Sequence, residues 1–168
     1  QAFLLASGAW LALAAFAALP FAFSGLGLSY TDAFFEAMSG LTTTGATIIT
    51  ELDEAPLGIL LWRALLQWFG GIGIIVMAVS VLPMLNVGGM QLFRLESSDT
   101  SEKILPRTAQ IAGSITRLYF FITGSCLLAY WLAGMNFFDA AAHAMTTIAT
   151  GGFSTRDASL GAFSAPTI

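Results

Sequence analysis

Thr31-Asp-Ala-Phe-Phe-Glu-Ala-Met-Ser-Gly-Leu-Thr-Thr-Thr-Gly-Ala-Thr47 returns, 107 positions further on, as Phe138-Asp-Ala-Ala-Ala-His-Ala-Met-Thr-Thr-Ile-Ala-Thr-Gly-Gly-Phe-Ser154. Without a gap, Asp32 matches Asp139, Ala33 matches Ala140, Ala37 and Met38 match Ala144 and Met145, Thr43 matches Thr150, and Gly45 matches Gly152. Each copy reads as a short helix running into a Thr/Gly strand. A helix over 32–41 is about 15 Å long at about 1.5 Å per residue, half of a bilayer's apolar thickness of about 30 Å. It cannot span, so in a membrane chain it dips in and returns. Thr31 or Asp32 is expected to cap the first short helix, and Asn136 or Asp139 the second. Their C-terminal ends then carry partial negative charge toward mid-membrane, which favours a cation.

Composition puts this chain in lipid. Of its 168 residues 57% are hydrophobic and 10% charged, with a mean hydropathy of +0.80, outside the usual soluble range. Spanning takes roughly 20 apolar residues as helix, and three stretches qualify: 3–23, 56–85 and about 111–133. No basic segment precedes the first and no small-residue cleavage site follows it, which argues against a signal peptide. Cys126 is the only cysteine, so it forms no intrachain disulfide or thiolate metal site and reads as a packing residue. No nucleophile–base pair, metal cluster or phosphate loop is present, so an enzyme is the least supported class. No catalytic residue, cofactor or nucleic-acid partner is expected.

Four of the six Lys and Arg residues (Arg94, Lys103, Arg107, Arg117) lie in or beside the link between the second and third stretches. The positive-inside rule makes that link cytoplasmic. Seven of the ten acids (Asp32, Glu36, Glu51, Asp53, Glu54, Asp139, Asp157) fall near the Thr/Gly segments, which then face outward. An acidic vestibule concentrates cations, although solvated loop acids explain any single one of them. The chain crosses twice between Gly45 and Gly152, so the repeats are parallel, unlike those of an inverted-repeat carrier.

Exposed backbone at mid-membrane depth is tolerated only where protein surrounds it or it lines a watery cavity. Main-chain carbonyls of Thr42, Thr43, Thr44, Gly45 and Ala46, with those of Ala149, Thr150, Gly151, Gly152 and Phe153, can form such a lining. Glycine reaches the angles that turn carbonyls inward and brings no side chain into the pore. A Thr/Gly turn between two helices is the plainer reading, and the gapless repeat weighs against it. On the following helix, Gln67-Trp-Phe-Gly-Gly-Ile-Gly73 places Gly70, Gly71 and Gly73 where a bend or a close helix approach is expected. A dinucleotide motif is excluded by the missing third glycine and the continuous helix. Arg63 on the same helix must find an acid, with Glu51, Asp53 and Glu54 as candidates, or reach the outer interface. Structural support is expected of Arg63 and these three glycines. His143, aligned with Glu36, has no metal-ligand constellation and is expected to make a structural hydrogen bond.

The chain resembles the Trk/Ktr/HKT superfamily of cation transporters, and within it the bacterial TrkH-type potassium uptake subunits. The resemblance is carried by Ser39-Gly-Leu-Thr-Thr-Thr-Gly-Ala-Thr47, Trp68-Phe-Gly-Gly-Ile-Gly73, Gly88-Gly-Met-Gln-Leu-Phe-Arg94 and Thr147-Ile-Ala-Thr-Gly-Gly-Phe-Ser-Thr155, and covers nearly the whole chain. It implies four filter segments around one axis, K+ selectivity associated with a glycine in each, a homodimer of full-length subunits, and a cytosolic nucleotide-binding regulatory ring of the TrkA kind. By position the filter glycines are Gly45 and Gly152. Some sodium-preferring members carry serine at one such position, so glycine at both favours K+ as the transported ion.

The expected class is all-α integral membrane protein, potassium-channel-like, built of repeated outer helix, re-entrant pore helix with filter, and inner helix. The expected divisions are a first pore unit at 1–85, a cytoplasmic connector at 86–108 with Pro106 marking its boundary, and a second unit at 109–168 that stops after its filter. A carbonyl ring needs about four filter segments, so the chain is expected to be the first half of a longer transporter of the bacterial inner membrane and not to conduct alone. The leading function is a passive or coupled (symport) K+ uptake pore. A sodium-permeable member of the same superfamily and a non-conducting membrane scaffold are the alternatives.

Overall fold

The computed structural model describes residues 2–81 and 104–163. The Gly88–Arg94 motif and most of the expected connector lie outside the described residues, as do the last residues of the 56–85 stretch. Among the described residues every regular element is a helix: α1 (Ala2–Ala17), α2 (Leu19–Ala22), α3 (Tyr30–Leu41), α4 (Leu57–Val81), α5 (Ile104–Leu132), α6 (Phe137–Ile148) and a 3-10 turn at Ser159–Ala162. Three stretches are long and apolar enough to cross a bilayer: Leu4–Ala22, Leu57–Ala78 and Gln110–Leu132.

Local chemistry sets the ends of these helices. Pro20 has no N–H to give to Phe16, and the first crossing is accordingly interrupted at Ala18 between α1 and α2. α5 begins at Ile104, so Pro106 lies in its first turn rather than before it, a correction to the expected boundary. First-turn N–H groups have no intrahelical acceptor, so a proline costs little there. α3 begins one residue earlier than Thr31, and its cap is Ser29 instead of Thr31 or Asp32. Ser29 Oγ accepts from the Asp32 N–H, and the Asp32 carboxylate accepts from the Ser29 N–H, closing a capping box. Asn136 caps α6 the same way: Oδ1 accepts from the Asp139 N–H at 2.9 Å. Ser29 and Asn136 are separated by the same 107 positions as the glycines, so the repeat starts before its first identical residue.

Packing follows membrane logic. The interior is lined by small residues, with Ala14, Ala18, Ala33, Ala37, Ala140 and Ala144 fully buried, while Leu4, Phe16, Phe23, Phe121 and Leu132 are largely exposed. Large apolar side chains gain nothing by hiding from lipid, and small ones let helices approach closely. Among the described side chains of α1 and α2, Phe21 is the one aromatic that is fully buried. Indole and phenol groups join the helices: Trp62 Nε1 donates to the Ala17 carbonyl at 3.0 Å, Tyr30 Oη to Ala15 at 2.9 Å, and Tyr119 Oη to Trp68 at 3.1 Å. Trp68 Nε1 also donates to Thr123 Oγ1 at 3.0 Å, and its ring stands edge-on to Phe120 at 4.7 Å. α4 packs against α3, α5 and α6 and is joined to α1 by the Trp62 bond.

Replacing either cap, Ser29→Ala or Asn136→Ala, is expected to destabilise the full-length protein by about 1 kcal/mol. Chemical unfolding in detergent micelles, followed by circular dichroism, checks this.

Candidate ion-filter site

Both short helices end in the same way. Thr43 N–H reaches the Gly40 carbonyl and Thr44 N–H the Ser39 carbonyl, each at 3.0 Å; in the second copy Thr150 N–H reaches Thr147 and Gly151 N–H reaches Thr146, each at 2.9 Å. These paired bonds define a Schellman stop, whose C′ residue is left-handed and is usually glycine. Here it is threonine: φ is +55° at Thr43 and +54° at Thr150. A β-branched residue in this region is a backbone outlier held by its surroundings. Two residues on, Gly45 and Gly152 are left-handed as well, at +77° and +81°. Left-handed residues thus flank Thr44 in one copy and Gly151 in the other. No strand occurs in either segment, contrary to the expected Thr/Gly strand. A pleated strand requires negative φ throughout, which this alternation breaks.

The two segments meet. A side-chain carbon built on Gly45 would overlap the Gly151 carbonyl oxygen, and one built on Gly151 would overlap the Gln67 amide. Gly152 has open space around that position. Thr42, Thr44, Ala46, Thr150 and Gly152 are exposed, Thr43 and Gly45 are half-buried, and Ala149, Gly151 and Phe153 are buried. The glycines of α4 are contact points: a carbon on Gly70 would overlap the Leu41 carbonyl, one on Gly71 would lie 2.7 Å from Tyr119 Oη, and one on Gly73 would lie 3.7 Å from Trp10.

Arg63 corrects a further expectation. It neither snorkels nor pairs with Glu51, Asp53 or Glu54; its partner is Glu36 on α3, at 2.8 Å, with both side chains buried. Lying in the second turn of α4, it faces α3, and Glu36 is the acid within that packed interior. Thr47 Oγ1 donates to Glu36 at 2.9 Å and accepts from Arg63 Nη2 at 3.0 Å, while the Ile48 N–H also reaches Glu36. Arg63 Nη1 crosses to the Ser154 carbonyl at 2.9 Å, and the guanidinium lies 4.1 Å from the centre of the Phe153 ring. One side chain thereby braces the outer ends of both Thr/Gly segments. Uncompensated burial costs several kcal/mol per ion, so this pair persists only because its lone pairs and protons are satisfied.

His143 takes the position of Glu36 in the second copy, and Ser154 that of Thr47. His143 Nε2 meets Ser154 Oγ at 3.0 Å and Nδ1 the Asp139 carbonyl at 2.8 Å, the structural role expected of it. Sequence reasoning missed the Glu36–Arg63 pair and Gln67. The signal was available for the pair, because Glu36 lies mid-helix, away from the capping turn where Asp32 has a reason to be acidic.

Outside the membrane level, the acids are less a free vestibule than a set of loop ties. Arg156 bonds Asp139 at 3.1 Å and Asp53 at 3.3 Å, and Thr155 Oγ1 donates to Asp139 at 2.6 Å. Burial opposes ionisation of Asp139, but hydrogen bonds from Thr155, Arg156 and Asn136 outweigh it and hold the carboxyl below the usual aspartate range. Asp157 is fully exposed, and the Leu52 N–H at 3.0 Å, followed by Asp53 N–H, holds it low as well. Asp157 thus ties the loop after the first segment to the loop after the second.

A family profile described as TrkH, a cation transport protein, matches residues 1–168. The chain is 52% identical over 171 residues to the Trk system potassium uptake protein TrkH of Escherichia coli (strain K12), covering all of this chain and 35% of that protein. It is 48% identical over 163 residues to the Trk system potassium uptake protein TrkI of Halomonas elongata, covering 97% of this chain and 33% of the relative. The crystal structure of the potassium transporter TrkH from Vibrio parahaemolyticus superposes with a TM-score of 0.85 at 47% identity, over all of this chain and 33% of that one. The chain spans about a third of the length of the relatives it matches.

Removing one partner of the buried pair, by Glu36→Ala or Arg63→Ala, is expected to destabilise the full-length protein by about 3–5 kcal/mol, and the double variant by less than the sum; a double-mutant cycle of unfolding free energies tests this. For Asp157, whose folded pKa is depressed, the stabilisation is complete above the ordinary aspartate value of about 4 and is lost as pH falls through the folded value. Asp157→Asn should melt below the parent at pH 7, and the two midpoints should converge in acid.

Proposed function

The chain belongs to the TrkH family of cation transport proteins, and we propose that it forms the part of a bacterial inner-membrane K+ uptake subunit that carries two filter segments, 42–46 and 149–153. The family consists of transporters rather than catalysts. The observation that carries the reading is the repeated exit from α3 and α6, with left-handed residues at Thr43 and Gly45 and again at Thr150 and Gly152. In a pleated strand successive carbonyls alternate sides. Left-handed residues at every second position instead bring successive carbonyls to one side, as a ring that replaces the hydration shell of a cation requires. The C-terminal ends of α3 and α6 add partial negative charge near that ring.

Potassium is the proposed ion because glycine stands at both matched positions and the relatives are named for its uptake. The working protein is a homodimer of full-length subunits bearing a TrkA-like cytosolic nucleotide-binding ring, with further filter segments completing each pore. No resident cofactor enters this mechanism. The protein supplies spacing and field, and the ion is cargo.

The two glycines are not equivalent under substitution. A serine at Gly152 has room for its side chain and strains only the backbone, whereas a serine at Gly45 collides with the Gly151 carbonyl. In a K+-transport-deficient bacterium expressing the parental full-length protein, Gly152→Ser is expected to keep membrane insertion and admit Na+. Gly45→Ser is expected to abolish Rb+ uptake. Unaltered ion preference in Gly152→Ser would leave the repeat as architecture only.

A further inference from the structure

Gln67 is fully buried on α4, yet it touches neither lipid-facing nor solvent-facing surface; it stands behind the two Thr/Gly segments. Its Oε1 accepts from the Phe153 N–H at 3.1 Å. That donor fixes the orientation of the amide, because only the oxygen can face an N–H. The whole amide stands against Gly151, where a built side-chain carbon would overlap Cδ and Oε1 and lie 2.6 Å from Nε2; Nε2 also lies 3.7 Å from a carbon built on Gly45. Among the described residues Nε2 has no acceptor. A buried amide donor left unmatched is costly, and a methionine or leucine in its place would move the unmatched donor to the buried Phe153 N–H. The polar group is retained at the junction where the first segment touches the second.

We propose that Gln67 is a positioning residue that sets the spacing of the two filter segments and thereby the preference for K+ over Na+. This rests on reading 42–46 and 149–153 as the filter. The amide is a rigid spacer: Oε1 anchors the second segment through Phe153, and Nε2 provides the donor for a main-chain carbonyl at the Gly45–Gly151 junction of the ion-loaded pore. Arg63 braces the outer ends of the same segments, so Gln67, one helical turn further along α4, braces them one level deeper. Discrimination between two cations of equal charge depends on carbonyl placement, which makes ion preference, more than assembly, the property that Gln67 controls.

The test uses the full-length parental transporter with its regulatory partner, reconstituted in vesicles, and compares Rb+ and Na+ influx for the parent, Gln67→Met and Gln67→Glu. Gln67→Met, similar in length but without hydrogen bonds, should insert normally and lose about tenfold in Rb+/Na+ preference, the equivalent of about one hydrogen bond. Gln67→Glu keeps an acceptor for Phe153 but offers a donor only when protonated, so its preference should fall at neutral pH and recover on acidification. Preferences within about twofold of the parent in both variants, with no pH dependence in the second, overturn the proposal. Where a variant inserts but passes no ion, the difference between its melting temperatures in K+ and in Na+ reads the same preference, and an unchanged difference also overturns it. A parent that does not discriminate overturns the filter reading itself, and this inference with it.

Discussion

A guanidinium buried in a membrane helix has to be answered by charge and hydrogen bonds in fixed places, and the answer given to Arg63 organises the end of the bundle where the two Thr/Gly segments meet. Glu36 supplies the charge from α3, Thr47 and Ser154 supply oxygens from the two segments that follow the short helices, and Phe153 supplies a ring face. None of these groups can move far without leaving an ion uncompensated in a medium of low dielectric. α3, α4 and both Thr/Gly segments are therefore held in register by one side chain. Deeper in, the alanine and glycine contacts of α4 with α3 and α6 continue the same seam without charge.

Much of this was legible in the sequence for physical reasons. Apolar length announced the crossings, the gapless match from Asp32 to Gly45 announced the paired short helices, and glycine at positions 45 and 152 announced the left-handed backbone. What the sequence hid was of two kinds. Capping depends on a single side chain: Asn136 was legible as a cap, but Ser29, its non-identical counterpart, was passed over for Thr31 and Asp32. The partner of Arg63 lies 27 residues away on another element, and nearness in sequence pointed instead to Glu51, Asp53 and Glu54. Helical periodicity says which face a residue occupies, not which face of another helix it will meet.

The threonines at the helix exits illustrate a different limit. Thr43 and Thr150 adopt a conformation in which glycine would be preferred, and nothing in local propensity selects them. They are tolerated because the turn is fixed from both sides, by the α-helical bonds behind and by the Arg63 and Gln67 contacts ahead. Strain of this sort, repeated at equivalent places, persists only where the surrounding structure over-determines it.

The substitution of His143 for Glu36 breaks the symmetry of the repeat at a single layer. The same hydroxyl position, Thr47 or Ser154, bonds a carboxylate in one copy and an imidazole in the other, and Arg63 pairs with that carboxylate. In an assembly of identical chains every inherited change strikes all copies at once. Covalently joined, non-identical copies let one drift while the other stays constant, so a contact layer can change on one side of the junction alone.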